Sequence, residues 1–217
     1  MRLLRGVTGL ILLPFSLTMA WTFLRTASRL PWGEKPLLAF ALGFLSYLAV
    51  HAVLYKPIFM HVMGHELTHA FWAFLFGGDV KSLHVSPEGG KVILNRSNFL
   101  ITLAPYFFPL YTFLLIPVYA ISKESFVPLI VFLLGASVAF HIVLTVHSIW
   151  LSQSDIKSCG TVFSLTFVLM VNLLVFIGLL ATVAPAQFHL GDFCSDYGGD
   201  LLREGKWCWA VIRGAKG

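Results

Sequence analysis

The sequence predicts an all-α polytopic membrane protein of about six transmembrane helices, with a small β-hairpin after the third. Three observations carry this. Of the 217 residues, 58% are hydrophobic and 12% are charged, where a soluble domain carries about 25% charged residues. The apolar residues gather into runs close to the roughly 20 needed to span a bilayer. One polar, glycine-bounded stretch, residues 77–98, interrupts them.

The runs cover residues 6–24, 37–55, 58–76, 99–121, 126–150 and 159–184. The first follows Arg2 and Arg5 and has the charge pattern of a signal sequence, but Trp21 and the arginines after it suit cleavage poorly, so it is kept as a helix. Lys56-Pro57 divides the second run from the third, because proline cannot continue helical hydrogen bonding. The fourth carries Pro105, Pro109 and Pro117, which predict a kinked or broken helix. Within 77–98, Gly77-Gly78 reads as a helix stop and Pro87-Glu88-Gly89-Gly90 as a turn. Val80, Leu83 and Val85 on one side, and Val92 and Leu94 on the other, suggest two short strands.

Residues 1–184 thus read as one transmembrane domain and residues 185–217 as a polar, glycine-rich tail. The formal charge of +5 comes from basic residues scattered between apolar runs, which suits loops flanking membrane helices and not a nucleic-acid surface. Cys159, Cys194 and Cys208 show no CxxC spacing, so a cysteine metal site or redox motif is not expected.

The third run contains His65-Glu66-Leu67-Thr68-His69. Histidines four apart on a helix sit about 40° apart around its axis, so both imidazoles reach one ion. Zinc lowers the pKa of a bound water to about 7, and an adjacent glutamate can take its proton. Two histidines and a carboxylate are costly in hydrocarbon and mark a functional site there. His65 and His69 are therefore candidate zinc ligands, with Glu66 as general base.

A catalytic zinc takes three protein ligands, and the candidates for the third are Asp155, Glu88, His84, His141 and His147. If every run crosses, the fifth delivers Asp155 to the side that holds the hairpin. His69 lies eight residues before Gly77, about 12 Å at 1.5 Å per residue, so Asp155 at the start of the sixth run reaches a similar depth. Asp155 ranks first on this ground. His61, four residues before His65, is spaced to support a ligand from behind.

The stretch MGHELTHAFWAFLFGGDVKSLHVSPEGGKV, with the later aspartate at 155, resembles the site-2 protease family of intramembrane metalloproteases. By that resemblance His65, His69 and Asp155 hold zinc and Glu66 is the general base. The family cuts peptide bonds in or near transmembrane segments, so membrane-protein substrates within a lipid bilayer are the expected partners. Thr68 stands where the family commonly has glycine, and Ser154-Asp155-Ile156 lacks the glycine that often follows the aspartate. No PDZ-like or nucleotide-sensing domain is visible, as in a minimal member. A proteolytically inactive relative and a metal carrier or sensor are the rival readings. Retention of Glu66 with both histidines disfavours the first, and clustering of polar groups at one depth disfavours the second.

With six crossings, the side reached after the third run carries Arg25, Arg29, Lys35, Lys81, Lys91, Arg96 and Lys157. The other carries Arg2, Arg5, Lys56 and Lys123 in its short segments, plus a tail of balanced charge. The bias favours a cytosolic active-site side, in the cell inner membrane. The tail would then face outward, where Cys194 and Cys208 are able to pair. Arg2 and Arg5 point the other way.

Overall fold

The computed structural model describes residues 2–54, 56–150 and 154–214. Tyr55, the last residue of the second apolar run, and the last three residues of the tail lie outside them. Helices α1 (Arg2–Ala27), α2 (Lys35–Val53) and α3 (Ile58–Leu75) come first. Strands β1 (Val80–Ser86) and β2 (Gly89–Leu94) follow, then α4 (Phe99–Phe107), α5 (Leu110–Ile121) and α6 (Val127–Trp150). The chain closes with α7 (Ser154–Cys159), α8 (Thr161–Val183) and α9 (Leu190–Gly214).

Four helices, α1, α2, α6 and α8, are long and apolar enough to cross a membrane, and α4 with α5 makes a fifth if that bent pair is one span. The pair turns by 67° at Phe108-Pro109, where proline removes a helical donor. Helix α3 is not among them. Its 18 residues include His61, His65, Glu66 and His69, which dilute its apolar character.

The packing directions explain how the chain passes α3. Helix α2 runs parallel to α6. A Cβ on Gly43 would enter the backbone of Phe132, one on Gly135 would enter that of Phe40, and the rings of Tyr47 and Phe140 meet at 5.6 Å. Helix α1 runs parallel to α8, with Gly9 against Phe163 at their starts and Gln187 donating to Glu34 beyond their ends. Helix α4 begins beside the start of α8, through Phe99 and Phe163. Six successive crossings would instead make α2 and α6 antiparallel. The third run therefore does not carry the chain across: α2 ends and α4 begins on one face, and α3 with its two strands starts and finishes there.

Helix α3 stops at Gly77, whose φ of +67° suits glycine. Gly78 N–H reaches the Ala73 carbonyl at 2.8 Å and Gly77 N–H that of Phe74 at 2.9 Å, the paired bonds of a Schellman cap. The strands pair antiparallel with Leu83 opposite Val92, and an irregularity between Val80 and Ser82. They fold back along α3.

The polar, glycine-rich tail forms α9, which docks on α1. The buried Asp200 accepts from Thr22 Oγ1 at 2.7 Å and pairs with Arg25 at 2.8 Å and with Arg203. Glu204 accepts from Thr18 at 2.5 Å. Cys194 and Cys208 are both free and exposed on this one helix. Fourteen residues of helix separate them by about 21 Å, beyond the roughly 7 Å a disulfide tolerates. A bridge between these two cysteines within one chain is excluded.

Candidate metal centre

Helix α3 presents His65, Glu66 and His69 on neighbouring turns, with Glu66 and His69 buried. The first turn of α7 brings Asp155 to them. Nε2 of His65 lies 3.2 Å from Nε2 of His69, and Oδ2 of Asp155 lies 3.5 Å from each. These three residues form a group able to hold one metal ion. A tetrahedral ion with bonds of about 2.0–2.1 Å spaces its ligands by about 3.3–3.4 Å, so the triangle has the size zinc requires. One imidazole pair and one carboxylate also make a donor set suited to it.

Two neighbours orient this set. Nδ1–H of His69 donates to the Ile101 carbonyl in α4 at 2.8 Å, which turns its Nε2 lone pair toward Asp155. The Tyr106 hydroxyl donates to Asp155 Oδ2 at 3.3 Å, and the Tyr106 ring stands edge-on to His65 at 5.5 Å. Burial alone would raise the Asp155 carboxyl, but the two imidazoles beside it hold it well below the usual carboxylate range. Thr68 satisfies its buried hydroxyl within the helix by donating back to the Gly64 carbonyl at 2.6 Å.

Glu66 lies beneath the turn of β1 and β2. A Cβ on Gly90 would stand 2.6 Å from Cγ of Glu66, so only glycine lets the strand approach so closely. Beyond Glu66 opens a cavity of about 800 Å³. Residues 87–92 form one wall, and His51, Lys56, His147 and Asp155 form others. The metal-facing edge of the cavity is thus carboxylates and imidazoles, reachable by water and by an extended chain.

Of the other candidate ligands, Glu88 and His147 line this cavity without joining the triangle. His84 sits exposed on β1 and does not line it. His141 is buried and bonded to Asn172 at 3.0 Å. His61 bonds to Ser148 at 2.9 Å and packs its ring 6.1 Å from that of His65. Sequence reasoning missed Ile101 and Tyr106. A backbone carbonyl leaves no trace in side-chain pattern, and Tyr106 stands inside the aromatic run Tyr106-Phe107-Phe108.

Searches against protein-family models, curated proteins and solved structures find no match to this chain.

Proposed function

We propose that this chain is an intramembrane zinc metalloprotease that hydrolyses peptide bonds in or near transmembrane segments of other membrane proteins. The observation that carries the reading is the triangle of His65, His69 and Asp155 with Glu66 beside it, at the edge of a large cavity among apolar helices. Zinc, when bound, supplies a Lewis acid that polarises the scissile carbonyl and makes water acidic near neutral pH. Glu66 then accepts the water's proton and returns it to the leaving nitrogen. His65, His69 and Asp155 fix the position about which this happens, and the buried setting strengthens each charge interaction.

A peptide bond inside an intact helix is shielded, so the substrate enters unwound. Strand β2, part of a two-stranded sheet whose residues Gly89 to Val92 line the cavity, offers backbone groups to an extended chain. Replacing Val92 with proline then lowers turnover while zinc is retained; unchanged cleavage in that variant removes this role.

The metal-site face is proposed to be cytosolic, in the cell inner membrane. With α3 starting and ending on that face, Arg2, Arg5, Lys56, Lys81, Lys91, Arg96 and Lys157 fall there. Arg25, Arg29, Lys35 and Lys123 fall opposite, while α9 adds Arg203, Lys206 and Arg213 in a tail of balanced charge. Outside that tail the basic excess supports a cytosolic site, and Arg2 and Arg5 no longer oppose it.

The test is elemental analysis of detergent-purified protein beside His65→Ala and Asp155→Ala, followed by reconstitution with transmembrane substrates. One zinc per chain lost in both variants, and cleavage abolished by Glu66→Gln, is the expected outcome. Wild-type protein without metal, or Glu66→Gln cutting as fast as wild type, overturns the proposal.

A further inference from the structure

Two polar residues, buried His141 on α6 and half-buried Asn172 on α8, have no part in the chemistry above. They lie in helices made mostly of aliphatic and aromatic side chains. Polar groups in such helices are expensive unless they serve a purpose. Nε2–H of His141 donates to Oδ1 of Asn172 at 3.0 Å. The Asn172 amide in turn donates to the carbonyl of Tyr106 at 2.8 Å and to that of Val168 at 2.9 Å. Tyr106 sits in the last turn of α4, just before the break at Phe108-Pro109, where carbonyls lose their partners within the helix. The amide therefore fastens the end of α4 to α8 at one residue.

The side chain of that residue reaches the metal centre. Tyr106 is buried, stands edge-on to His65 and donates its hydroxyl to Oδ2 of Asp155, the oxygen that faces both histidines. Aspartate is the one proposed ligand that does not come from α3. It lies on a separate helix of six residues, α7. It needs a tether that α3 cannot provide.

We propose that Tyr106 is the positioning residue of the metal centre. It selects and holds the Asp155 oxygen that completes the ligand triangle, with His141 and Asn172 bracing its backbone. This rests on the metal-centre reading above. The line His141, Asn172, Tyr106, Asp155 joins α6, α8, α4 and α7, so one chain of hydrogen bonds ties the third ligand to three larger helices.

The experiment uses the full chain in detergent and reads zinc affinity by competition with a chromophoric chelator, together with the visible spectrum of the cobalt-loaded protein. Tyr106→Phe is expected to weaken zinc by about 10–100-fold, the range for loss of an orienting partner, and to shift the cobalt bands. Asn172→Leu is expected to do the same to a smaller degree. Phe163→Leu, in the same apolar cluster as Tyr106 but away from the hydrogen-bond line, controls for general loosening and is expected to leave both readouts unchanged. Zinc bound by wild type, lost in His65→Ala and undiminished in Tyr106→Phe overturns the positioning role alone. Equal weakening in Phe163→Leu and Tyr106→Phe also overturns it. No zinc on wild type overturns it together with the metal-centre reading.

Discussion

Replacing Gly90 with alanine is expected to cost about 100-fold in turnover while leaving the metal bound. The added Cβ would stand 2.6 Å from Cγ of Glu66 and from Cγ1 of Val62, and 2.9 Å from Oε1 of Glu66. Carbon atoms rest at about 3.5–4.0 Å, so the strand and Glu66 must separate by about 1 Å. The two strands form a sheet of their own and can shift without disturbing the helix core. The loss therefore falls on the alignment of Glu66 with the wall that holds substrate. A misplacement of about 1 Å costs roughly 100-fold, equal to about 2.7 kcal/mol of transition-state stabilisation. The assay is single-turnover cleavage of a reconstituted transmembrane substrate, with zinc content and detergent melting measured on the same sample. Turnover within about threefold of wild type, far less than the predicted loss, with zinc retained, would refute the claim that strand and base are packed this closely.

Three further outcomes follow from other parts of the molecule. Gly43→Ala forces a methyl into the Phe132 carbonyl and is expected to cost about 1–3 kcal/mol, seen as a detergent melting point several degrees lower; an unchanged value would contradict the α2–α6 contact. Burial alone would raise the Asp200 carboxyl, but hydrogen bonds from Thr22 and Arg203 and the charge of Arg25 hold it below its ordinary range. A depressed folded value means stabilisation that is full above the unfolded pKa of about 3.9 and lost as pH falls below it. Hydrogen exchange in α9 is thus expected to quicken ahead of α8 on acidification, and Asp200→Asn to remove that pH dependence. Finally, a water-soluble maleimide is expected to label Cys194 and Cys208 in native protein and Cys159 only after denaturation, while a nonreducing gel reveals no intrachain bridge.

Much of the helical content and the placing of His65, Glu66 and His69 on one helix could be read from the chain because they rest on local rules. Apolar runs of span length became α1, α2, α6 and α8, and Gly77-Gly78 capped α3 through a left-handed residue. The spacing of His65, Glu66 and His69 put the three on one side of a helix, and Asp155 joined the histidines in one group. Direction was not legible in this way. Whether α3 reverses the chain depends on which face meets which, and that was set by Gly43 against Phe132 and Gly135 against Phe40, contacts 89 and 95 residues apart in sequence. Helix α9 was hidden for a different reason. Gly191, Gly198, Gly199 and Gly205 lower its intrinsic helicity, and docking of Asp200 and Glu204 on Thr22 and Thr18 offsets this.

The bracing of Asp155 has a consequence for when the protein becomes competent. Two ligands are present once α3 has been made, but the third arrives with α7, and the amide that steadies its tether belongs to α8. A ribosome must therefore pass residue 172, and α8 must find its place beside α4, before the centre can be complete. An unfinished chain carries the histidines and the glutamate without the third member of the group. On the proposed protease reading, late assembly would keep every nascent copy inert until its own insertion is finished.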